Sequence, residues 1–176
     1  MTTRTRVKGS SGSVVRVREV AAGDHAAIVA LNNSAVPHVN ALSMEEFAWL
    51  SGHANFFWLS EDDDGLLGFA LVLPSGLDYW SDNYKWFAAR RDRFLYLDRV
   101  VVAERARQQG VGRALYEALF SFGTGAWPRV TLEVNLRPPN PGSERFHERL
   151  GFTTAGVREY NDGDNAVLLM ERSLGA

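Results

Sequence analysis

The sequence predicts an α/β (α+β) fold in which about seven strands and about four helices make up a single domain over residues 14–176. Two pairs of strand-like runs are separated by turns rich in Asp and Gly at 62–65 and 161–164, which is typical of antiparallel hairpins. A further strand-like run, 93–102, continues through two glycines into a helical pattern. The chain of 176 residues is 45% apolar, which is enough to bury one sizeable core.

The first half of the predicted domain reads strand, helix, helix and hairpin. Residues 14–20 alternate valine with charged side chains, as in a strand that is buried on one side. A helix follows from a candidate N-cap at Asp24, and Ser43 and Glu46 form the S-x-x-E capping box of a second helix. The strands of the hairpin are expected at 55–61 and 66–74.

The second half contains a strand–loop–helix unit and a final hairpin. Apolar residues at helical spacing begin at Val111, and a second helix is expected over 143–150. Gly151 is suited to end that helix because glycine readily adopts the left-handed conformation. The strands of this half are expected at 93–102, 129–135, 152–160 and 165–174.

Residues 75–92 are rich in aromatic side chains and are expected to form a long irregular segment. Such segments are often functional or mobile, which makes this one a candidate substrate lid with Tyr79 and Trp80 as candidate substrate-binding residues. The alternative is that these aromatic side chains pack into the core, as aromatic residues commonly do. The sequence leaves both interpretations open.

The charge balance and the lack of cysteine exclude several classes of protein. The chain has 19 Lys and Arg against 21 Asp and Glu, a net charge of −2, so it lacks the basic excess that nucleic-acid binding requires. Without cysteine there is no disulfide, zinc-thiolate site or cysteine nucleophile. The four histidines show no metal-ligand spacing, so no metal is expected.

Residues 1–13 are polar and charged, and we expect them to form a disordered tail. They are followed by no apolar run typical of a signal peptide or a membrane span. The resulting expectation is a cytoplasmic protein with no membrane partner.

Gly110 and Gly112 lie where the strand-like run of residues 93–102 leads into a helix. A helix N-terminus presents unpaired N–H groups to an anion, and glycines keep the approach open, so a pyrophosphate would fit this turn. Arg105, Arg107 and Arg113 add positive charge around it. The turn is not a Walker A loop, since no Gly-Lys-Ser/Thr follows, and not G-x-G-x-x-G, since position 115 is leucine. A glycine turn without a ligand is the alternative.

The pattern R-x-x-G-x-G, formed by Arg107, Gly110 and Gly112 after a strand ending at Val102, resembles the acyl-CoA signature of the GNAT superfamily of N-acetyltransferases. The stretch LEVNLRPPNPGSERFHERLGF over 132–152 resembles a later motif of the same family. The resemblance covers about residues 14–173. It implies a GNAT-like mixed, mostly antiparallel sheet of six to seven strands, splayed into a V-shaped cleft between the strands at 93–102 and 129–135.

The resemblance also implies acetyl-CoA as co-substrate and assigns residues to it. Main-chain amides of the glycine turn would hold the pyrophosphate, and the end of the preceding strand would pair with pantetheine. Asn140 would contact the pantetheine arm or the thioester, although an Asn between two prolines is equally suited to cap the next helix. The implied coenzyme-binding residues are Val100, Val101, Val102, Arg107, Gln108, Gln109, Gly110, Val111, Gly112, Arg113, Asn140 and Ser143.

The family motif often carries a tyrosine as general acid at the position where this chain has His147. His147 could protonate the leaving thiolate if its pKa lies near neutral, and Tyr160 or Tyr116 are alternative donors. A histidine on a helix is also often a packing residue. The sequence therefore leaves the general acid open.

Tyr96 and Asp98 are candidate catalytic residues on the strand at 93–102. They share a face with Val100 and Val102 if the strand alternates regularly, and Asp98 could then accept the amine proton through a water. The alternative for Asp98 is an ion pair with Arg93 or Arg99.

The implied function is acetyl-CoA-dependent N-acetylation of a primary amine on a small molecule or peptide, by direct attack in a ternary complex. His38 and Asn40, between the first two helices, are candidate acceptor contacts. An acyl-CoA-binding sensor without turnover is the alternative, and a dinucleotide-binding oxidoreductase has little support because only one strand–loop–helix unit carries glycines. A homodimer is an expectation from the family alone.

Overall fold

The computed structural model describes residues 5–8, 14–37 and 39–175, which form strands β1–β8 and helices α1–α5. Short 3-10 turns occupy Ala22–Asp24 and Glu104–Ala106. The strands are β1 Thr5–Lys8, β2 Val14–Glu19, β3 Phe56–Asp62, β4 Gly65–Pro74, β5 Leu95–Val102, β6 Arg129–Arg137, β7 Thr153–Tyr160 and β8 Asn165–Ser173. The helices are α1 His25–Ser34, α2 Met44–His53, α3 Asp82–Ala88, α4 Val111–Gly123 and α5 Pro141–Arg149.

The chain divides into two compact units. The first contains the described residues up to 73 together with 97–122, and the second contains 74–96 and the described residues from 123 onwards. Strand β5 contributes its first two residues to the second unit and the rest to the first.

In the first unit the strand order is β1-β2-β3-β4-β5, and the pairs from β1 to β4 are antiparallel. The β3–β4 hairpin turns at Gly65, whose φ of +114° is a conformation that glycine adopts readily. The chain leaving β5 is attached to β4 by a hydrogen bond of 2.8 Å from the Ala103 N–H to the Leu67 carbonyl. Buried side chains of this core include Val17, Ile28, Phe47, Leu50, Phe69, Leu71 and Leu115.

The capping box predicted for α2 is present. The Ser43 hydroxyl accepts from the Glu46 N–H at 3.1 Å, and the Glu46 carboxylate accepts from the Ser43 N–H at 2.9 Å. Both unpaired donors at the start of the helix are thereby satisfied. The helix buries Phe47 and Leu50, as its sequence pattern predicted.

In the second unit the strand order is β5-β6-β8-β7. Strands β5 and β6 are parallel, with Leu95 opposite Val130 and Tyr96 opposite Thr131, and the pairs β6–β8 and β7–β8 are antiparallel. The predicted end of α5 is confirmed, because Gly151 follows that helix with a φ of +84°.

Residues 75–92 differ from the expected irregular segment because they contain α3. The Ser81 hydroxyl caps this helix by accepting from the Tyr84 N–H, and Tyr84 and Phe87 are buried. The Tyr84 hydroxyl also donates to the Pro74 carbonyl at 2.8 Å and accepts from the Leu77 N–H at 3.0 Å. Most of the aromatic side chains therefore pack into this unit, which argues against a freely moving lid.

The predicted mixed, mostly antiparallel α+β architecture is confirmed. The described residues contain one strand more than expected, since Thr5–Lys8 pair with β2, and one helix more, since α3 is present. The remainder of the expected tail over 1–13 lies outside the described residues. The V-shaped splay and the single domain over 14–176 stay predictions. No helix in the described part of the chain is long and apolar enough to cross a membrane.

Candidate functional site

The glycine turn before α4 presents an open main-chain surface. Gln108 has a φ of +61° and Gly110 a φ of +82°, so both residues adopt a left-handed backbone conformation before the helix begins. A Cβ added at Gly110 would meet no heavy atom within 4 Å. Among the described residues, no acceptor pairs with the main-chain N–H groups of residues 108–113, whereas the Ala114 N–H already donates to the Gly110 carbonyl. These groups are available to an anion.

The arginines around this turn differ in their availability. Arg105 forms a two-pronged ion pair with Asp62, and Arg113 pairs with Glu117 at 2.8 Å on the exposed face of α4. Arg107 is exposed and makes no side-chain hydrogen bond or ion pair within the described residues. Of the three predicted charges, Arg107 is therefore the one free to meet a phosphate, while the exposed Arg113 pair is weak enough to exchange partners.

The end of β5 approaches β4 closely. A Cβ at Gly68 would lie 2.7 Å from the Val101 carbonyl oxygen and 3.3 Å from the Val102 Cα, so only glycine fits opposite this part of β5. The pairing of β5 with β6 ends at Tyr96. In the described structure no strand covers the other edge of β5 at Val100–Val102, and this edge can pair with an extended ligand.

A tyrosine–carboxylate pair lies in the second unit. The Tyr96 hydroxyl donates to the Glu133 carboxylate at 2.7 Å. The Ser81 hydroxyl lies 3.4 Å from the Tyr96 hydroxyl oxygen. Tyr96 is buried and Glu133 is half-buried on β6. Tyr96 was predicted as a site residue but Glu133 was not. The available signal was an acidic residue inside the otherwise apolar run of β6, at Leu132–Val134.

Asp98 forms the ion pair with Arg99 that was the alternative to a catalytic role. The Arg99 Nε lies 2.7 Å from the Asp98 Oδ2, and both side chains are largely buried. Arg99 Nη1 also donates to the Asn32 Oδ1 at 3.0 Å, and Asn32 Nδ2 donates to the Asn40 carbonyl at 3.0 Å. Asp98 thus belongs to a network that anchors the loop after α1, and this geometry gives no support to its role as a base.

His147 is buried on α5 and lacks the near-neutral pKa that a proton donor would need. Its Nδ1 donates to the Ser143 carbonyl at 2.7 Å, and its ring packs edge-on against Phe146 and Phe152. Burial lowers the pKa of His147 to about 4, although the hydrogen bond to Ser143 acts in the opposite direction. The ring is therefore neutral near pH 7, and its environment is that of a packing residue.

Asn140 and Ser143 form the start of α5. The Asn140 Oδ1 accepts from the Ser143 N–H at 3.1 Å, which is the capping role considered from the sequence. The Asn140 Nδ2 has no hydrogen-bond partner among the residues that the structure describes. Capping uses the Oδ1 acceptor and therefore leaves the Nδ2 amide of this side chain to donate to a ligand.

The predicted acceptor residues are in different situations. His38 lies outside the described residues, and Asn40 uses its carbonyl to accept from Asn32 while its side chain is exposed. Tyr79 is 4% exposed and packs edge-on against Trp80, which is 48% exposed. Trp80 is the aromatic side chain of this set that can reach a ligand. The described residues contain no group of three or more His, Asp or Glu side chains arranged to hold a metal.

An open glycine turn at a helix start, following a strand end with one uncovered edge, is suited to bind a pyrophosphate and an extended ligand. The chain belongs to the Acetyltransferase (GNAT) family, whose sequence profile matches residues 26–152. The predictions of this family and of an acetyltransferase are therefore confirmed. No curated protein sequence matches the chain significantly.

Solved structures share the fold at low sequence identity. The ribosomal-protein-S18-alanine N-acetyltransferase from Escherichia coli aligns with a TM-score of 0.71 and 19% identity over 92% of this chain and 95% of that chain. Arabidopsis thaliana NAA60 in complex with acetyl-CoA gives 0.72 and 18% over 90% and 99%. Chaetomium thermophilum Naa20 in complex with a bisubstrate analogue gives 0.70 and 20% over 89% and 85%. These likenesses establish the GNAT-like fold.

Proposed function

We propose that this protein transfers the acetyl group of acetyl-CoA to a primary amine of a small molecule or peptide, by direct attack of the amine in a ternary complex. The observation that carries the proposal is the open glycine turn, where, within the described part of the chain, the main-chain N–H groups of residues 108–113 lack acceptors and Arg107 is unpaired. These donors suit a pyrophosphate, so the residues present fit the coenzyme. When bound, acetyl-CoA supplies an activated acetyl thioester.

The main chain of β5 would hold and polarise the acyl end. Val100–Val102 offer N–H and C=O groups along the edge that no strand covers in the described structure, and these would pair with the pantetheine arm. An N–H near Val102 would donate to the thioester carbonyl and stabilise the negative charge that develops there. The Nδ2 amide of Asn140 and the nearby Ser143 are the proposed contacts at the start of α5.

Tyr96 and Glu133 are the residues that we propose for proton transfer during the reaction. An amine must be neutral to attack and must then lose a proton, and a carboxylate is a suitable acceptor for it. Glu133 is bound to the Tyr96 hydroxyl at 2.7 Å, which orients both groups. Tyr96 also lies on the same strand as Val100–Val102. Glu133 would take the proton of the attacking amine, and this proton would then pass to the leaving thiolate of coenzyme A, which departs as the free thiol. We assign this proton transfer to the pair and structural roles to Asp98 and His147.

The acceptor class rests on the family and on its relatives. One structural relative is a ribosomal-protein-S18-alanine N-acetyltransferase, and others were crystallised with bisubstrate analogues. We therefore propose an amine acceptor, with Trp80, Tyr79, Asn40 and His38 as candidate contacts. The cytoplasmic location and the homodimer remain expectations.

Calorimetric titration with acetyl-CoA tests the coenzyme site, with coenzyme A and a nicotinamide dinucleotide as comparisons. Gly110→Asp and Gly110→Asn are a matched pair, because both side chains have the same size and tolerate a positive φ, while only Asp carries charge. We expect Asp to abolish binding and Asn to weaken it. Equal affinity of the wild type and Gly110→Asp would refute the site.

Release of free thiol from acetyl-CoA, measured over a panel of small amines and peptide amines, tests the transfer reaction. We expect amine-dependent release that Gly110→Asp abolishes. Tight acetyl-CoA binding without release for any amine would favour the sensor alternative over the enzyme.

A further inference from the structure

The β3–β4 hairpin is joined to the glycine turn through one ion pair. Arg105, in the 3-10 turn Glu104–Ala106, directs Nη1 to the Asp62 Oδ2 at 3.0 Å and Nη2 to the Asp62 Oδ1 at 3.1 Å. Nη2 also lies 3.4 Å from the Gly65 carbonyl. A two-pronged guanidinium–carboxylate pair fixes orientation as well as distance. The hairpin therefore determines where the first part of the turn lies.

Both ends of this contact are themselves held. The Asp62 side chain is only 9% exposed, and its Oδ1 also accepts from the Asp64 N–H at 3.0 Å. On the other side, the Arg105 carbonyl accepts from the Gln109 Nε2 at 2.7 Å, directly before Gly110. The chain of contacts thus runs from the β3–β4 hairpin through Arg105 to Gln109, beside the open amides.

The β3–β4 hairpin carries three consecutive aspartates beside the proposed pyrophosphate turn. Asp62, Asp63 and Asp64 lie in the hairpin that holds the proposed pyrophosphate turn, and carboxylates repel a pyrophosphate. Arg105 neutralises Asp62, and the hydrogen bond from Arg105 keeps the pKa of Asp62 below its usual value. The carboxylate therefore acts through Arg105 and not on the ligand.

We propose that Asp62 is a positioning residue for coenzyme binding, which holds Arg105 so that the turn has its binding conformation before the coenzyme arrives. The inference rests on the proposed function. A turn that is already ordered loses less conformational entropy when it binds, so affinity rises without any direct contact between Asp62 and the ligand.

Asp62→Asn and Asp63→Asn form a matched pair for the test. Both remove one negative charge from the same hairpin, but Asp63 is 81% exposed and pairs with Arg16 instead of the turn. Calorimetry with acetyl-CoA should show about three- to tenfold weaker binding for Asp62→Asn. Asp63→Asn should bind equally well or slightly more tightly, because it only reduces repulsion. Thermal unfolding of each variant establishes that the titration is made on folded protein.

Arg105→Met removes the same ion pair from its other side and serves if Asp62→Asn does not fold. It should weaken binding to a similar extent, and the double variant with Asp62→Asn should be no weaker than either single variant. Additive losses, equal affinity of the Asp62→Asn and Asp63→Asn variants, or tighter binding by Asp62→Asn would overturn the inference. Failure of the wild type to bind acetyl-CoA would instead overturn the proposed function, and the inference with it.

Discussion

His147 illustrates how burial changes what a residue in a familiar motif can do. The side chain is 6% exposed and its ring is enclosed by Phe146 and Phe152. Charging the ring there requires desolvation, and one hydrogen bond to the Ser143 carbonyl does not compensate. A neutral imidazole stabilises α5 through that bond and its packing.

This burial predicts a pH dependence of stability. The folded pKa of about 4 lies below the value of 6.5 for a free histidine, so the unfolded chain binds the proton more tightly. The contribution of His147 is fully present above pH 6.5 and is lost as pH falls from there towards 4. At pH 5 the loss in free energy of unfolding is about 2 kcal/mol relative to pH 7.5.

Denaturant unfolding of the wild type and His147→Gln at both pH values measures the contribution of His147 to the free energy of unfolding. The variant should lack the loss of about 2 kcal/mol, while other titrating groups contribute equally to both proteins and cancel. An equal pH dependence in the two proteins would show that His147 is not buried as a neutral ring.

Tyr96 and Glu133 allow the proposed proton transfer to be tested at single residues. Tyr96→Phe removes the 2.7 Å hydrogen bond, and Glu133→Gln removes the carboxylate that would accept the proton, both with little change in size. We expect kcat with an active amine to fall about 100-fold or more, with the Kd for acetyl-CoA little changed.

Tyr160→Phe is the matched control, since Tyr160 is one of the two tyrosines considered as alternative donors and is half-buried on β7. It should keep near-normal kcat. A normal kcat in both site variants would remove the pair from the mechanism.

At the scale of elements, the contact between β4 and β5 depends on the absence of a side chain at Gly68. Gly68→Ala would place a methyl group 2.7 Å from the Val101 carbonyl oxygen, which is main chain and cannot rotate away. We expect a loss of about 1–3 kcal/mol in free energy of unfolding and weaker acetyl-CoA binding, because β5 must shift.

Gly52→Ala provides the control for this prediction. Gly52 lies in α2 with nothing within 4 Å of the added methyl group, so the same substitution should stabilise the protein by up to about 1 kcal/mol. Thermal or denaturant unfolding compares the two. Equal stability of the variants would contradict the close approach of β4 and β5.

At the scale of the whole molecule, local features were the ones readable from the sequence. The capping box of Ser43, the end of α5 at Gly151 and both hairpins depend on residues a few positions apart, so their patterns appear in a short window. The glycine turn was also visible, because its function needs main-chain groups and an absence of side chains. Helix α3 was missed because its aromatic residues obscured a short helical period.

The sequence by itself determined the fold class, the order of most elements and the family motif, since these follow from local periodicity and from residue types at fixed spacing. Only the tertiary structure decided which charges are paired and which are free. Tyr96 and Glu133 are 37 residues apart in the chain, and Arg105 and Asp62 are 43 apart. The neutral state of His147 likewise depends on burial by distant packing, and no short stretch of sequence records burial.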